Sequence, residues 1–165
     1  PIIGQKIGWL SFAGIPIDHG KTFRGKRIFG KNKTYRGFIC AAIAGICTVM
    51  VQAILYSRSS TLQALSLFDY TNHLGVTVLL GFLLGLGALV GDAVESFIKR
   101  QRDIAPGQSW KPWDQVDQML GATVCALPVV RVPLECLFIG LIVVYIGVIV
   151  VNKIAFATGL KAVPH

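Results

Sequence analysis

Apolar positions run through this chain in long unbroken stretches rather than in the amphipathic or alternating spacing of a water-soluble fold. From Gly37 to Tyr56 twenty residues pass without a charge, enough for about 30 Å of helix. From Leu74 to Gly91 there are eighteen more, roughly 27 Å of helix. A third run, Gln118 to Val130, has only thirteen uncharged residues, so a span there is expected to start near Trp113 and tilt little. Pro128 and Pro133 bracket a turn at Arg131, and a last apolar run extends from Leu134 to Val151. The pattern predicts an all-α integral membrane protein, a bundle of four transmembrane helices over about residues 37–56, 74–98, 113–131 and 134–152. Together they form one membrane domain over residues 1–165.

Two polar regions frame these spans. Residues 57–73 form a connection with room for a short interfacial helix around Leu62 to Phe68. Residues 1–36 form a Gly-rich basic segment, expected to be an ordered loop or a pair of short elements, without the compact apolar core of a signal peptide. Within it Lys21-Thr22-Phe23-Arg24-Gly25 returns twelve residues later as Lys33-Thr34-Tyr35-Arg36-Gly37. A Lys-Thr-aromatic-Arg-Gly unit occurring twice is a pattern beyond mere charge.

Composition agrees with a membrane class: 53% of residues are apolar, 15% are charged, and the mean hydropathy is +0.63. Cys40, Cys47, Cys125 and Cys136 lie in apolar runs with no CxxC spacing, and are expected to act as small packing residues. His19 and His73 are expected in loops, and His165 is the terminal residue.

The net charge of +8 is unevenly placed, and the placement orients the protein. With both chain ends on one side, that side collects eight Lys and Arg before Gly37, four from Lys99 to Lys111, and two after Val151. The other side has Arg58 and Arg131. Fourteen against two predicts a cytoplasmic basic segment in a protein of the cell membrane. Anionic lipid and phosphorylated substrates are then the partners such a surface suits, and nucleic acid is not expected.

On that same side the chemistry converges. In Gly91-Asp92-Ala93-Val94-Glu95-Ser96-Phe97-Ile98-Lys99-Arg100, helical spacing puts Asp92, Glu95, Ser96 and Lys99 on one stripe at headgroup depth. A short loop later, Asp114 and Asp117 stand three apart on the next helix. Acids and bases at a helix end can be no more than a salt-bridged terminus, but two acidic clusters on neighbouring helices need a cation. Carboxylates with a Ser hydroxyl suit Mg²⁺ better than zinc, which favours His and Cys. Lys99, Arg100 and Lys111 supply positive charge beside the acids. The doubled unit offers Lys21, Thr22, Arg24, Lys33, Thr34 and Arg36 as phosphate binders facing them. Metal and phosphate binders at headgroup depth point to phosphoryl or nucleotidyl transfer onto a phospholipid.

The rival readings are another membrane lipid phosphotransferase and an ion or phosphate transporter. A CDP-alcohol phosphatidyltransferase would carry its acids in a D-G-x-x-A-R type motif, absent here. A transporter would place ionisable groups near mid-bilayer, whereas here they lie at one edge.

Ser96-Phe97-Ile98-Lys99-Arg100, a loop, then Asp114-Gln115-Val116-Asp117 resembles the phosphatidate cytidylyltransferase signature, S-x-x-K-R followed by D-R-x-D. Lys33 to Gly37, Gly91 to Arg100 and Trp113 to Gly121 resemble more closely its archaeal branch, the CDP-archaeol synthases, over nearly the whole chain. The resemblance implies a Mg²⁺-dependent reaction of CTP with an isoprenoid glycerol-ether phosphate, giving the CDP-activated lipid and pyrophosphate. It matches Ser96, Lys99, Asp114 and Asp117 to the signature, and Asp92 and Glu95 to acids just upstream of it. By this reading Asp92, Ser96, Asp114 and Asp117 are metal ligands, with Glu95 assisting. Relatives also carry an apolar helix before the basic segment, so a fifth span upstream is expected. The chain departs from the bacterial signature at Gln115, where Arg is usual, and lacks its His-Gly-Gly loop.

Overall fold

The computed structural model describes residues 14–71, 73–105, 108 and 110–158. The first thirteen residues of the basic segment, Pro106-Gly107 of the polar loop, and His165 lie outside the described residues. The expected upstream span lies outside the sequence itself.

The described chain begins with an antiparallel hairpin, β1 (Thr22–Phe23) and β2 (Lys26–Arg27), pairing Thr22 with Arg27 and Phe23 with Lys26. Arg24 and Gly25 at its turn have φ of 52° and 75°, the two positive values a tight primed turn requires. Helix α1 (Tyr35–Arg58) follows, then the six-residue α2 (Ser60–Leu65), α3 (Leu74–Gln101), α4 (Trp113–Ala126) and α5 (Leu134–Ala157). Thr34 starts α1 by accepting the Gly37 N–H at 3.3 Å, satisfying one of the donors every helix start leaves unpaired.

α1, α3 and α5 are each long and apolar enough to cross a membrane. α4 is not: its 14 residues make roughly 21 Å. The four expected spans are therefore three candidate spans and a shorter helix beside them. The 113–131 run stops early because Pro128 has no N–H to continue the ladder, while Val129 and Val130 both turn back to donate to Ala126 O. α3 extends past its charge-free core to Gln101, so the polar stripe is helical throughout.

α3 is the central post. Its Gly81 and Gly85 face the backbone of α1, where a Cβ added to Gly81 would stand 2.7 Å from Ile46 Cα. On the opposite side its Gly87 and Gly91 face α4, where a Cβ on Gly91 would overlap the carbonyl oxygen of Asp117. Small residues allow this backbone-to-backbone approach, which gives helices in lipid their van der Waals contact. Val49, Leu80 and Ala126 form a buried cluster packed by Phe68, Tyr70 and Leu84. α5 has no buried residue, as suits a helix facing lipid.

The hairpin docks on the last turns of α3. Phe97 takes Phe23 and Phe29 against it at ring separations of 5.9 and 6.5 Å, and Lys26 Nζ donates to Gln101 O and to Asp103 Oδ2 at 3.0 and 2.6 Å.

Candidate active site

The stripe predicted on α3 is present, and close contact with α4 completes it. Because Gly91 lets the Asp117 carbonyl sit against α3, Asp117 meets Asp92 and Glu95. One carboxylate oxygen from each lies within 4.8 Å of the other two. Glu95 is buried and the other two are half-buried. Three anionic carboxylates at this spacing repel one another unless cations stand among them. Two do: Lys33 Nζ is 2.5 Å from Asp92 Oδ2, and Lys99 Nζ is 2.6 Å from Glu95 Oε1, one helical turn away. A hard, all-oxygen set with at least two anionic donors is the donor chemistry Mg²⁺ prefers, so these residues fit that ion.

Asp114 stands apart from this group. Its Oδ2 accepts the Trp110 N–H at 3.0 Å and lies 3.8 Å from Lys99 Nζ, while its Oδ1 is buried without a hydrogen-bond partner. The cause is local, since Asp114 falls in the first turn of α4 and turns back to the chain leading into it. Lys99 is the hub that joins Asp114 to Glu95, and it also donates to Gln108 O at 3.1 Å. Ser96 is half-buried on α3 beside Glu95. Gln115, at the position that departs from the bacterial signature, is buried with its Oε1 unpartnered.

The two copies of the basic unit have different structures. Lys33 and Thr34 of the second copy stand at the start of α1, one on Asp92 and the other capping the helix; Arg36 is half-buried in its first turn. Lys21, Thr22 and Arg24 of the first copy are exposed on the hairpin, with Arg24 over the Phe23 ring at 5.4 Å. Arg100 is half-buried with Nε unpartnered, and Lys111 is exposed.

Sequence reasoning passed over Asp18, Lys26 and Arg102. Asp18 and Lys26 organise the hairpin through partners too scattered along the chain for any local spacing to reveal them. Arg102 stacks on Trp110 at 5.3 Å. Both line a groove of about 550 Å³ between α3 and α4, together with Val94, Ile98, Glu95 and Asp117, so the groove is mostly apolar and reaches two of the three acids.

The CarS-like family, described as CDP-archaeol synthase, matches residues 3–165. The chain belongs to this family. Relatives named CDP-archaeol synthase include that of Pyrococcus furiosus, 36% identical over 92% of this chain and 84% of its own length. That of Methanocaldococcus jannaschii is 34% identical over 91% and 83%, and that of Pyrococcus horikoshii 38% over 92% and 83%. No solved structure matches the chain. The matched residues 3–165 contain all but the first two residues of the basic segment, the α3 stripe and the start of α4.

Proposed function

We propose that this chain is a CTP-dependent cytidylyltransferase that converts an isoprenoid glycerol-ether phosphate and CTP to CDP-archaeol and pyrophosphate. The observation that carries this reading is the Asp92, Glu95 and Asp117 group bracketed by Lys33 and Lys99, in a member of the CDP-archaeol synthase family. The reaction takes place at the cytoplasmic surface of the cell membrane, a placement supported by the excess of Lys and Arg on the side bearing the site.

Asp92, Glu95 and Asp117 would hold Mg²⁺, with Ser96 beside Glu95 on α3 and Asp114 joined to Glu95 through Lys99. When bound, the ion supplies charge neutralisation for the CTP phosphates. Lys33 and Lys99, already drawn to the acids, each carry three N–H donors and can hold phosphate oxygens while keeping a carboxylate contact. Arg36, Arg100, Lys111 and the hairpin cations Lys21 and Arg24 add positive potential that draws the triphosphate in. A lipid phosphate oxygen attacks the α-phosphorus of CTP, the bond from that phosphorus to the β-phosphate bridging oxygen breaks, and pyrophosphate leaves. The attacking oxygen is already anionic at neutral pH, so no side chain need remove a proton. The apolar groove between α3 and α4 gives hydrocarbon a path beside the acids, so the lipid stays in the bilayer.

The test uses purified protein with radiolabelled CTP, Mg²⁺ and a long-chain glycerol-ether phosphate. Label is expected in the lipid phase, and none after chelation with EDTA. A folded sample that labels no lipid rejects the assignment.

A further inference from the structure

We infer that Asp18, far from the acids in sequence and outside the reacting groups, is a positioning residue that sets Lys33 for phosphate binding. The role rests on the reading above, in which Lys33 takes up a CTP phosphate. Asp18 lies in the loop before the hairpin, and its carboxylate is wholly covered, with a side-chain exposure of 0%. Five donors converge on it. Arg27 donates from Nε and Nη2 at 3.0 and 2.9 Å, and the backbone N–H groups of Gly20, Phe29 and Gly30 donate at 3.0, 3.2 and 3.1 Å. A buried carboxylate is retained only with this kind of full satisfaction.

From Asp18 a continuous chain of contacts leads to the site. Gly30, whose N–H is held by Asp18, accepts the Lys33 N–H on its own carbonyl at 3.3 Å. Ile17, next to Asp18, donates its N–H to Lys33 O at 2.8 Å, and Pro16 bridges Thr34. The Lys33 backbone is therefore held on both of its polar groups by segments that Asp18 joins, and its side chain ends on Asp92. Arg27, gripped by the same carboxylate, lies beside Lys26, which fastens the hairpin to the end of α3. A flexible lysine becomes a directed one when its backbone is fixed, because less freedom is lost on binding.

Asp18→Asn removes the charge and one of the two acceptor oxygens, so Arg27 loses its ion pair, the N–H groups on the replaced oxygen lose their acceptor, and the segment from Gly30 to Lys33 loosens. The test measures CTP KM and kcat of the full-length enzyme for the native chain, Asp18→Asn, Lys33→Ala and the double variant. Asp18→Asn is expected to raise the CTP KM about tenfold with kcat at saturating CTP within about twofold. The double variant is expected to be no worse than Lys33→Ala alone, since a residue acting only through Lys33 has nothing further to lose. A CTP KM unchanged within twofold, or effects that multiply in the double variant, overturns the role. If Asp18→Asn does not elute as folded protein, Arg27→Ala weakens the same network and is judged by the same two criteria. A native enzyme that labels no lipid defeats the enzymatic reading instead, so the two failures are separable.

Discussion

Lys33 Nζ touches Asp92 Oδ2 at 2.5 Å, tying the start of α1 to the polar stripe of α3. It is the contact that joins the basic segment to the acids, and among the six phosphate binders expected from the doubled unit, Lys33 is the one that makes it. Replacing Lys33 by Ala should raise the CTP KM by tenfold or more, while Lys21→Ala on the exposed hairpin should change it by less than threefold. Steady-state kinetics at varied CTP distinguish the two.

Asp117 and Asp114 are three residues apart but have different neighbours, so their neutral amide variants should separate. Asp117→Asn should lower turnover by more than a hundredfold and raise the Mg²⁺ concentration needed for half-maximal rate. Asp114→Asn keeps an acceptor for the Trp110 N–H and should leave that Mg²⁺ concentration within about threefold, whatever it does to turnover through Lys99. Magnesium titrations of the three proteins provide the comparison.

At Gly91 an added methyl meets the Asp117 carbonyl, which belongs to backbone and cannot rotate away. Gly91→Ala should destabilise the folded protein by about 1–3 kcal/mol and lower activity, because α4 must shift together with Asp117. Gly75→Ala, in open space on the same helix, should be neutral or slightly stabilising. Thermal unfolding in detergent, with activity measured alongside, checks the pair.

The guanidinium of Arg27, with the three backbone amides, holds the Asp18 carboxyl well below the usual carboxylate range. Its charged form is thus favoured in the folded loop, and the stabilisation is fully present from neutral pH down to about pH 4. Below that the unfolded loop takes up a proton first, and stability falls by about 1.4 kcal/mol per pH unit until the folded carboxyl is protonated too. Hydrogen exchange at the Gly20, Phe29 and Gly30 amides, corrected for the intrinsic rate, should show protection lost on acidification below pH 4. In Asp18→Asn that acid-dependent loss should be absent.

The long helices were legible because charge-free runs in a membrane protein leave the backbone no other way to satisfy its hydrogen bonds. The stripe on α3 was legible from helical period alone. What the period could not supply was how two helices slide past each other. The depth at which α4 meets α3 depends on Gly91 and Gly121 in contact with backbone, and this depth brings Glu95 and Asp117 to Asp92 while Asp114 turns to Trp110. The length of α4 was overread, since apolar residues continue to Val130 although the helix ends at Ala126. Nor does the doubled basic unit announce that one copy forms a hairpin turn and the other a helix start. That division depends on Arg24 and Gly25 taking positive φ and on Thr34 reaching the Gly37 amide.

The glycine seams on both flanks of α3 mean that the spacing of the acids is set by peptide planes in contact. Side chains can change rotamer to absorb a small error in fit, but bare backbone has no such reserve. A backbone shift at Gly91 moves α4, and Asp117 with it, relative to Asp92 and Glu95, so this part of the molecule works as a fixed gauge. On the proposed reading, a bound cation and phosphate would have to fit its dimensions, and selectivity among ions of different radius would reside in the helix seam as well as in the carboxylates themselves.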